Sequence, residues 1–163
     1  MRQGTKPLDV LWTRIESWAS PGVPDLFGVY KGESFWVELK LHKLKSVKYI
    51  DLSPQQILWQ TRHSQAGANV WNLVGHPASR TVKLFRGARA IELGRDETRT
   101  EDLVPCYECD SPYDWTTVMD TIAFDRAWST MIHELRYEER GPWLLARGEM
   151  PMALTIRSLV SGV

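Results

Sequence analysis

The sequence predicts an α/β fold, in which helices alternate with strands along the chain. Along its 163 residues, segments with apolar residues at helical spacing alternate with short segments rich in β-branched and aromatic residues. A hydrophobic content of 43% and a charged content of 25% are typical of a globular protein. No apolar run approaches the roughly 20 residues that span a bilayer, and no signal segment follows residues 1–6. We therefore expect a single cytoplasmic domain with no membrane partner.

The first elements are predicted to be a helix and a hairpin. Apolar residues recur at helical spacing over residues 8–19, which predicts an amphipathic helix that the Pro21-Gly22 pair ends. Residues 25–30 and 34–41 have the composition of strands, and the Lys-Gly-Glu sequence at 31–33 is typical of the turn between them.

The second of these strands carries charged residues on one face. Because side chains alternate along a strand, Glu38 and Lys40 share a face with Trp36. The opposite face holds the apolar residues that we expect in the core: Phe35, Val37, Leu39 and Leu41. If the two strands pair, Asp25 comes alongside Glu38. Two adjacent carboxylates repel unless a cation separates them, and such hard oxygen ligands favour Mg²⁺ or Mn²⁺.

A second helix has clear end signals. Ser53 is an N-cap candidate, Pro54 suits the first helical position, and Gln56 completes an S-x-x-Q capping box. The pattern continues to about Ala66, and Gly67 is the stop signal.

The rest of the chain divides into strands and an acidic extension. Strands are predicted over residues 69–74 and 81–85, and 92–114 are polar and turn-rich. A long helix is predicted from Asp114 or Thr116 to Glu139, and residues 144–160 fit either a strand or a helix. We expect residues 1–90 to form the core and 91–163 a mostly helical extension packed on it, within one domain overall.

The zero net charge conceals an asymmetry between these parts. Residues 1–90 hold 13 Lys and Arg against 6 Asp and Glu, whereas residues 91–163 hold 7 against 14. A basic cluster directly follows the second strand: Lys40, His42, Lys43, Lys45 and Lys48. It is either a DNA-phosphate contact surface or an ordinary solvated loop, and its place beside the carboxylates favours the first. The acidic part either limits non-specific DNA binding or pairs with a basic patch on a partner subunit.

Three segments together match a family pattern. They are Pro21-Gly22-Val23-Pro24-Asp25-Leu26, Trp36-Val37-Glu38-Leu39-Lys40 and Leu52-Ser53-Pro54-Gln55-Gln56-Ile57-Leu58-Trp59. Over roughly residues 8–90 the chain resembles the PD-(D/E)xK nuclease superfamily and, within it, the VRR-NUC group of virus-type replication and repair nucleases. The resemblance implies a restriction-endonuclease-like core with the element order αβββαβ, in which helices flank a central mixed β-sheet.

The resemblance also implies roles for individual residues. Asp25 and Glu38 would bind the metal ion together with the carbonyl of Leu39, and Lys40 would orient the attacking water or stabilise the transition state. Glu16, placed on the first helix, would add a third acidic ligand; the alternative is a surface glutamate. Gln56 matches the glutamine of the family's L-S-P motif, although the capping box alone also explains it.

Further candidates rest on residue type and position. Lys43, Lys45 and Lys48, with Arg14 and Arg62, are candidate DNA-binding residues. Cys106 and Cys109 have the spacing of half a zinc site, which His76 or His133 would have to complete; free thiols are the alternative. His42 and His63 lie near the proposed site, where solvated or core roles are the ordinary ones.

For a chain of this size, the resemblance implies a phage or viral enzyme that resolves Holliday junctions as a homodimer in the infected cell. Two other functions stay open. One is a nuclease that cuts flaps, forks or plain duplex, and the other is a DNA-binding or assembly protein that uses the nuclease scaffold without catalysis. The complete set of Asp25, Glu38 and Lys40 favours an enzyme, because binding alone does not require it.

Overall fold

The computed structural model describes residues 1, 3–16, 21–42, 50–95 and 103–125. They belong to the first of two compact units, Met1–Arg126; the second, Ala127–Val163, lies outside the described residues. Six strands form one sheet: β1 Leu11–Arg14, β2 Leu26–Tyr30, β3 Glu33–Leu41, β4 Val70–His76, β5 Thr81–Arg86 and β6 Tyr107–Asp110. The helices are α1 Pro54–Gln65, α2 Ala90–Leu93 and α3, which is described over residues 115–125, with 3-10 turns at Lys6–Leu8 and Gly87–Arg89. The predicted α/β fold is confirmed.

The sheet is mixed, and its strands lie in sequence order from β1 to β6. Neighbouring strands are antiparallel except β3 and β4, which are parallel with Glu38 opposite Asn72. Parallel neighbours need a crossover connection, and α1 lies within it. This crossover brings α1 over the face of β3 that carries Glu38 and Lys40, where its Gln56 contacts both side chains.

The helix predicted for residues 8–19 is wrong over its described part. The chain forms a 3-10 turn at Lys6–Leu8 and then β1, which pairs with β2. Val10 and Trp12 pack against the core while Leu11 is 71% exposed, so the effective period is two. Pairing with a neighbouring strand overrides a local pattern that also fitted a helix. Residues 17–20 lie outside the described residues.

The sheet is covered on both faces by apolar clusters. One cluster joins residues of β2 to β5 with four residues of α3: Val118, Met119, Ile122 and Ala123. The other contains Val74 and Phe85 together with Ile50, Leu52 and residues of α2. Phe35 and Val37 are buried as expected, but Leu39 is 38% and Leu41 64% exposed, so the prediction that they fill the core is wrong. Strand β2 begins at Leu26, opposite Val37, and does not extend beside these two residues.

The second helix matches its sequence signals closely. Ser53 caps α1, Gln56 closes the capping box, Pro54 occupies the first turn, and Gly67 follows the end with a φ of 88°. The capping prediction is therefore confirmed.

The segment predicted to be turn-rich contains a strand. Strand β6 pairs with β5 and has alternating burial, a pattern too short to detect among the polar residues around it. The helix predicted from Asp114 or Thr116 is observed over residues 115–125; the rest of it, and residues 144–160, lie outside the described residues. The division of the chain at residue 90 stays a prediction. No helix in the described ranges is long and apolar enough to cross a membrane.

Candidate active site

Three elements bring the predicted site residues together. Asp25 directly precedes β2, whose first residue pairs with Val37, so the aspartate stands beside Glu38. The backbone N–H of Leu39 donates a 2.9 Å hydrogen bond to Asp25 Oδ2. Lys40 comes two residues after Glu38, on the face of β3 that α1 covers. The structure thus places Asp25, Glu38 and Lys40 next to one another.

The carboxylate of Glu38 is buried and incompletely paired. Its side chain is 1% exposed, and Oε1 lies 3.0 Å from Lys40 Nζ and 2.6 Å from the Gln56 Nε2 that donates to it. Its other oxygen, Oε2, is buried without a hydrogen-bond partner among the described residues. Burial, followed by the charge of Asp25, raises the pKa of Glu38 despite the opposing effect of Lys40.

Gln56 belongs to both the helix cap and the site. Its Oε1 accepts hydrogen bonds from the Ser53 backbone at 3.0 Å and from Lys40 Nζ at 3.2 Å, while its Nε2 donates to Glu38. The capping geometry holds the amide in place, so Glu38 and Lys40 are aligned by a side chain that the backbone itself orients. The two interpretations of Gln56 from the sequence are compatible.

The loop before Asp25 is pressed against α1. Gly22 has a φ of 93°, in the left-handed region that favours glycine. A Cβ at Gly22 would lie 2.3 Å from the backbone oxygen of Gln55, the residue before Gln56. Both the backbone conformation and the lack of space for a side chain therefore require glycine at this position. The close approach also fixes the loop that carries Asp25 against the first turn of α1.

The residues present fit a divalent cation. The unpaired oxygen of buried Glu38 and the carboxylate of Asp25 offer hard oxygen ligands at one place. The N–H of Leu39 faces Asp25, and in a strand the C=O of a residue faces the same side as its N–H. In the described ranges, no three His, Cys, Asp or Glu side chains gather as a metal-binding group. Two carboxylates and a carbonyl suit Mg²⁺, which keeps several waters in its coordination sphere.

Glu16 and Arg14 lie at the rim of the site. Glu16 follows β1 and is not on a helix, so the prediction of a helical third ligand is wrong in its structural premise. The Glu16 side chain is 74% exposed, and its carboxylate lies 3.2 Å from Arg14 Nε. Arg14 lines an open cleft of about 400 Å³ with Met1, Asp25, Leu26 and Leu39. Arg14 and Asp25 therefore line the same cleft.

The other predicted DNA-binding residues are less fully described. Lys43, Lys45 and Lys48 lie outside the described residues. Arg62 is exposed on α1. His42 packs against His76 with ring centroids 4.8 Å apart, and burial, with the charges of His42 and Lys83, lowers the pKa of His76 to about 4.

The two cysteines are free thiols, Cys106 exposed and Cys109 partly buried. A zinc site completed by His76 is not formed in the described part of the chain, and His133 lies outside it.

A buried amide pair behind the site was not predicted from the sequence. Gln60 and Asn72 are both 0% exposed and exchange hydrogen bonds of 3.1 and 2.7 Å. Asn72 stands opposite Glu38 in the parallel register, and Gln60 lies one turn after Gln56. A signal was present, because Asn72 interrupts the apolar run of β4 and Gln60 shares a helix face with Gln56.

The chain was compared with known proteins in three ways. Neither protein-family models nor curated proteins match it. Among solved structures, it is similar to Hjc, a Holliday junction resolvase from the archaeal hyperthermophile Archaeoglobus fulgidus. The two share 16% identity over 66% of this chain and 80% of that chain, with a TM-score of 0.39.

Proposed function

We propose that this chain is a metal-dependent, structure-selective DNA endonuclease, and that it resolves four-way junctions or other branched DNA by phosphodiester hydrolysis. One observation carries the proposal. Glu38 is buried beside Asp25 with an oxygen that lacks a hydrogen-bond partner in the described part of the chain. An unpaired buried carboxylate oxygen is costly unless a cation compensates it, so it indicates a binding function.

The proposed metal ion is Mg²⁺ or Mn²⁺, held by Asp25, Glu38 and the carbonyl of Leu39. When bound, it would polarise the scissile phosphate and lower the pKa of a coordinated water. Glu16 is 74% exposed at the rim, and its role as a further ligand stays a prediction.

Lys40 supplies the positive side chain of the site. The Lys40 side chain is 20% exposed, and its ammonium group lies 3.0 Å from Glu38 Oε1 and 3.2 Å from Gln56 Oε1. With two of its hydrogen-bonding directions fixed, the remaining one is available to a phosphate oxygen or to the attacking water. A cation placed in advance at the developing charge stabilises the transition state without reorganisation.

The remaining candidate residues would bind the DNA backbone. Arg14 faces the cleft with Asp25, Arg62 is exposed on α1, and Lys43, Lys45 and Lys48 add positive charge in the segment after β3. Phosphate contacts of this kind release counterions, so we expect affinity to fall steeply with salt.

The proposal of a branched substrate rests on the resemblance to VRR-NUC proteins and on symmetry. A four-way junction has two-fold symmetry, and its resolution needs two related nicks, which a homodimer supplies. The acidic segment of residues 91–163 is proposed to provide the dimer surface. Sedimentation at micromolar concentration tests this part, since a monodisperse monomer would contradict it.

The function is tested by cleavage of end-labelled DNA. The substrates are a four-way junction, a flap, a fork and a linear duplex, each with Mg²⁺ or with EDTA. We expect paired symmetric nicks in the junction, lost in EDTA and in the Asp25→Asn and Lys40→Ala variants.

Other outcomes of the same assay decide between the alternatives. Cleavage of flap, fork or duplex in place of the junction would retain the nuclease and reject the resolvase. Binding without cleavage of any substrate, in Mg²⁺ and in Mn²⁺, would establish a non-catalytic DNA-binding scaffold.

A further inference from the structure

Four rings form a continuous row beside the proposed active site. Phe27 and Trp36 have centroids 5.0 Å apart, Trp36 and Trp59 are 5.3 Å apart, and Trp59 stacks on His63 at 3.6 Å with planes 12° apart. We call these four residues the aromatic row. It crosses β2 and β3 and continues along α1.

On the strands, the row adjoins the carboxylates directly. Phe27 comes two residues after Asp25, and Trp36 comes two residues before Glu38. Residues two apart on a strand share a face and lie about 7 Å from each other. Phe27 and Trp36 are also paired across the two strands. The row therefore begins beside the place where the scissile phosphate would be bound.

On α1, the side chains of the row lie on the same helix face as Gln56. Trp59 is one turn after Gln56, and His63 is one turn after Trp59, so the three side chains share a helix face. His63 is exposed and Trp59 partly buried, and Arg62 is exposed next to the end of the row. At a rise of 1.5 Å per residue, His63 lies about 10 Å along the helix from Gln56, or about three nucleotides of a DNA strand.

The row does not belong to the core. Neither apolar cluster of the described residues includes its rings, and none of the four is among the residues packed against those clusters. Phe27, Trp36 and Trp59 are partly exposed. Large aromatic side chains normally contribute most when fully buried, so a partly exposed row outside the core is typical of a binding surface.

From this arrangement we propose that the aromatic row is a stacking platform for unpaired bases of the DNA strand that leaves the active site. The inference rests on the proposed nuclease function and names the feature of the substrate that the enzyme would select. Every base has a π face, so stacking on aromatic rings tolerates any sequence. A continuous duplex buries those faces between neighbouring base pairs, whereas a branch point exposes them within a few nucleotides of the cut.

The test uses a forked DNA that carries 2-aminopurine at an unpaired position within three nucleotides of the branch. A fully paired duplex with the same label is the reference substrate. Affinity is measured by anisotropy in EDTA at fixed salt, and stacking is measured as quenching of 2-aminopurine fluorescence. The variants are Trp59→Ala and the exposed His63→Ala, with Trp59→Phe as the conservative change. Leu58→Ala, at a 55% exposed neighbour on α1, is the matched control.

We expect quenching with the wild-type protein on the fork. Trp59→Ala and His63→Ala should each weaken binding of the fork about tenfold, the scale of one lost base–aromatic stack. Binding of the paired duplex should not change. Trp59→Phe should retain most of the affinity for the fork, and Leu58→Ala should resemble the wild type on both substrates. Thermal melting of each variant separates this effect from a loss of folding.

The proposed function and the platform fail in different ways. Equal losses of affinity for fork and duplex would overturn the platform even if Mg²⁺-dependent cleavage is intact. The same conclusion would follow if His63→Ala and a folded Trp59→Ala left fork affinity and quenching unchanged. Selective quenching that depends on the row, together with no cleavage of any substrate, would support the platform and reject the nuclease.

Discussion

Gln56 donates a 2.6 Å hydrogen bond to the buried carboxylate of Glu38 while it closes the capping box of α1. The start of a helix and the alignment of a site carboxylate thus depend on one side chain. Substitution of Gln56 would remove the cap interaction and the contact with Glu38 together. Ser53 takes part in the same cap without contacting Glu38, so substitution of Ser53 removes the cap interaction alone.

Substitutions at Gln56 and Ser53 should therefore differ in activity more than in stability. We expect Ser53→Ala and Gln56→Ala each to lower the free energy of unfolding by about 1 kcal/mol, since both remove a cap interaction. Cleavage should fall about tenfold or more in Gln56→Ala, which leaves Glu38 and Lys40 unaligned, and should stay near wild type in Ser53→Ala. Urea denaturation and single-turnover cleavage measure the two quantities. Equal activity losses in both variants would show that Gln56 acts only through the cap.

The charge on Glu38 should make the metal-free protein less stable as pH rises. Its folded pKa is raised, so the folded state binds the proton more tightly than the unfolded state does. The free energy of unfolding therefore falls as the pH rises from the ordinary pKa of 4.5 to the raised folded pKa of Glu38. In Glu38→Gln this slope should be absent and, above that window, the Tm in EDTA should be a few degrees higher.

The measurement is thermal melting against pH, with the difference between wild type and Glu38→Gln isolating this group from His76 and other titrations. Added Mg²⁺ should raise the Tm of the wild type but not that of the variant, because a ligand stabilises only the state that binds it. A Tm difference between the wild type and Glu38→Gln that stays constant with pH would contradict a raised pKa for Glu38.

The loop glycines offer a matched pair of substitutions. Gly22 and Gly32 both have positive φ, 93° and 86°, but a Cβ meets the Gln55 backbone at Gly22 and nothing within 4 Å at Gly32. Gly32→Ala should cost only the backbone strain, about 1 kcal/mol, and retain activity. Gly22→Ala should cost more and reduce cleavage, since relief of the clash displaces the loop that carries Asp25. Chemical denaturation and cleavage rates of the two variants test this; equal behaviour would refute the packing argument.

The buried amides of Gln60 and Asn72 should show strong coupling. Gln60→Met or Asn72→Leu alone leaves the partner amide buried and unpaired, which costs about 1–3 kcal/mol. In the double variant no unpaired amide remains, so its loss should be smaller than the sum of the single losses. A double-mutant cycle by urea denaturation provides the coupling energy. Strict additivity would mean that the two amides do not form the pair in solution.

Much of the site follows from sequence because its determinants are local. The alternation along β3 puts Glu38 and Lys40 on one face, and the S-P-Q signal places the cap of α1 and therefore Gln56. These features depend on residues within one element or one turn, where spacing alone fixes direction.

The errors arise where distant partners decide the structure. Leu11 fitted a helical stripe, but pairing of β1 with β2 turns it outward and Val10 and Trp12 inward. Leu39 has the right alternation for the core and is exposed because β2 does not extend beside it. Strand β6 has little apolar character of its own and depends on pairing with β5. The contacts that form the aromatic row also join three elements, and no single segment reveals them.

The most direct test of the account is Mn²⁺ binding to the protein without DNA, measured by electron paramagnetic resonance. The variants are Asp25→Asn and Glu38→Gln, with Glu33→Gln as a control at an exposed glutamate of the same strand. We predict saturable binding to the wild type and to Glu33→Gln, and loss of that binding in the other two variants. Binding by Glu38→Gln with the affinity of the wild type would contradict the claim that the unpaired oxygen of this buried carboxylate is a metal ligand.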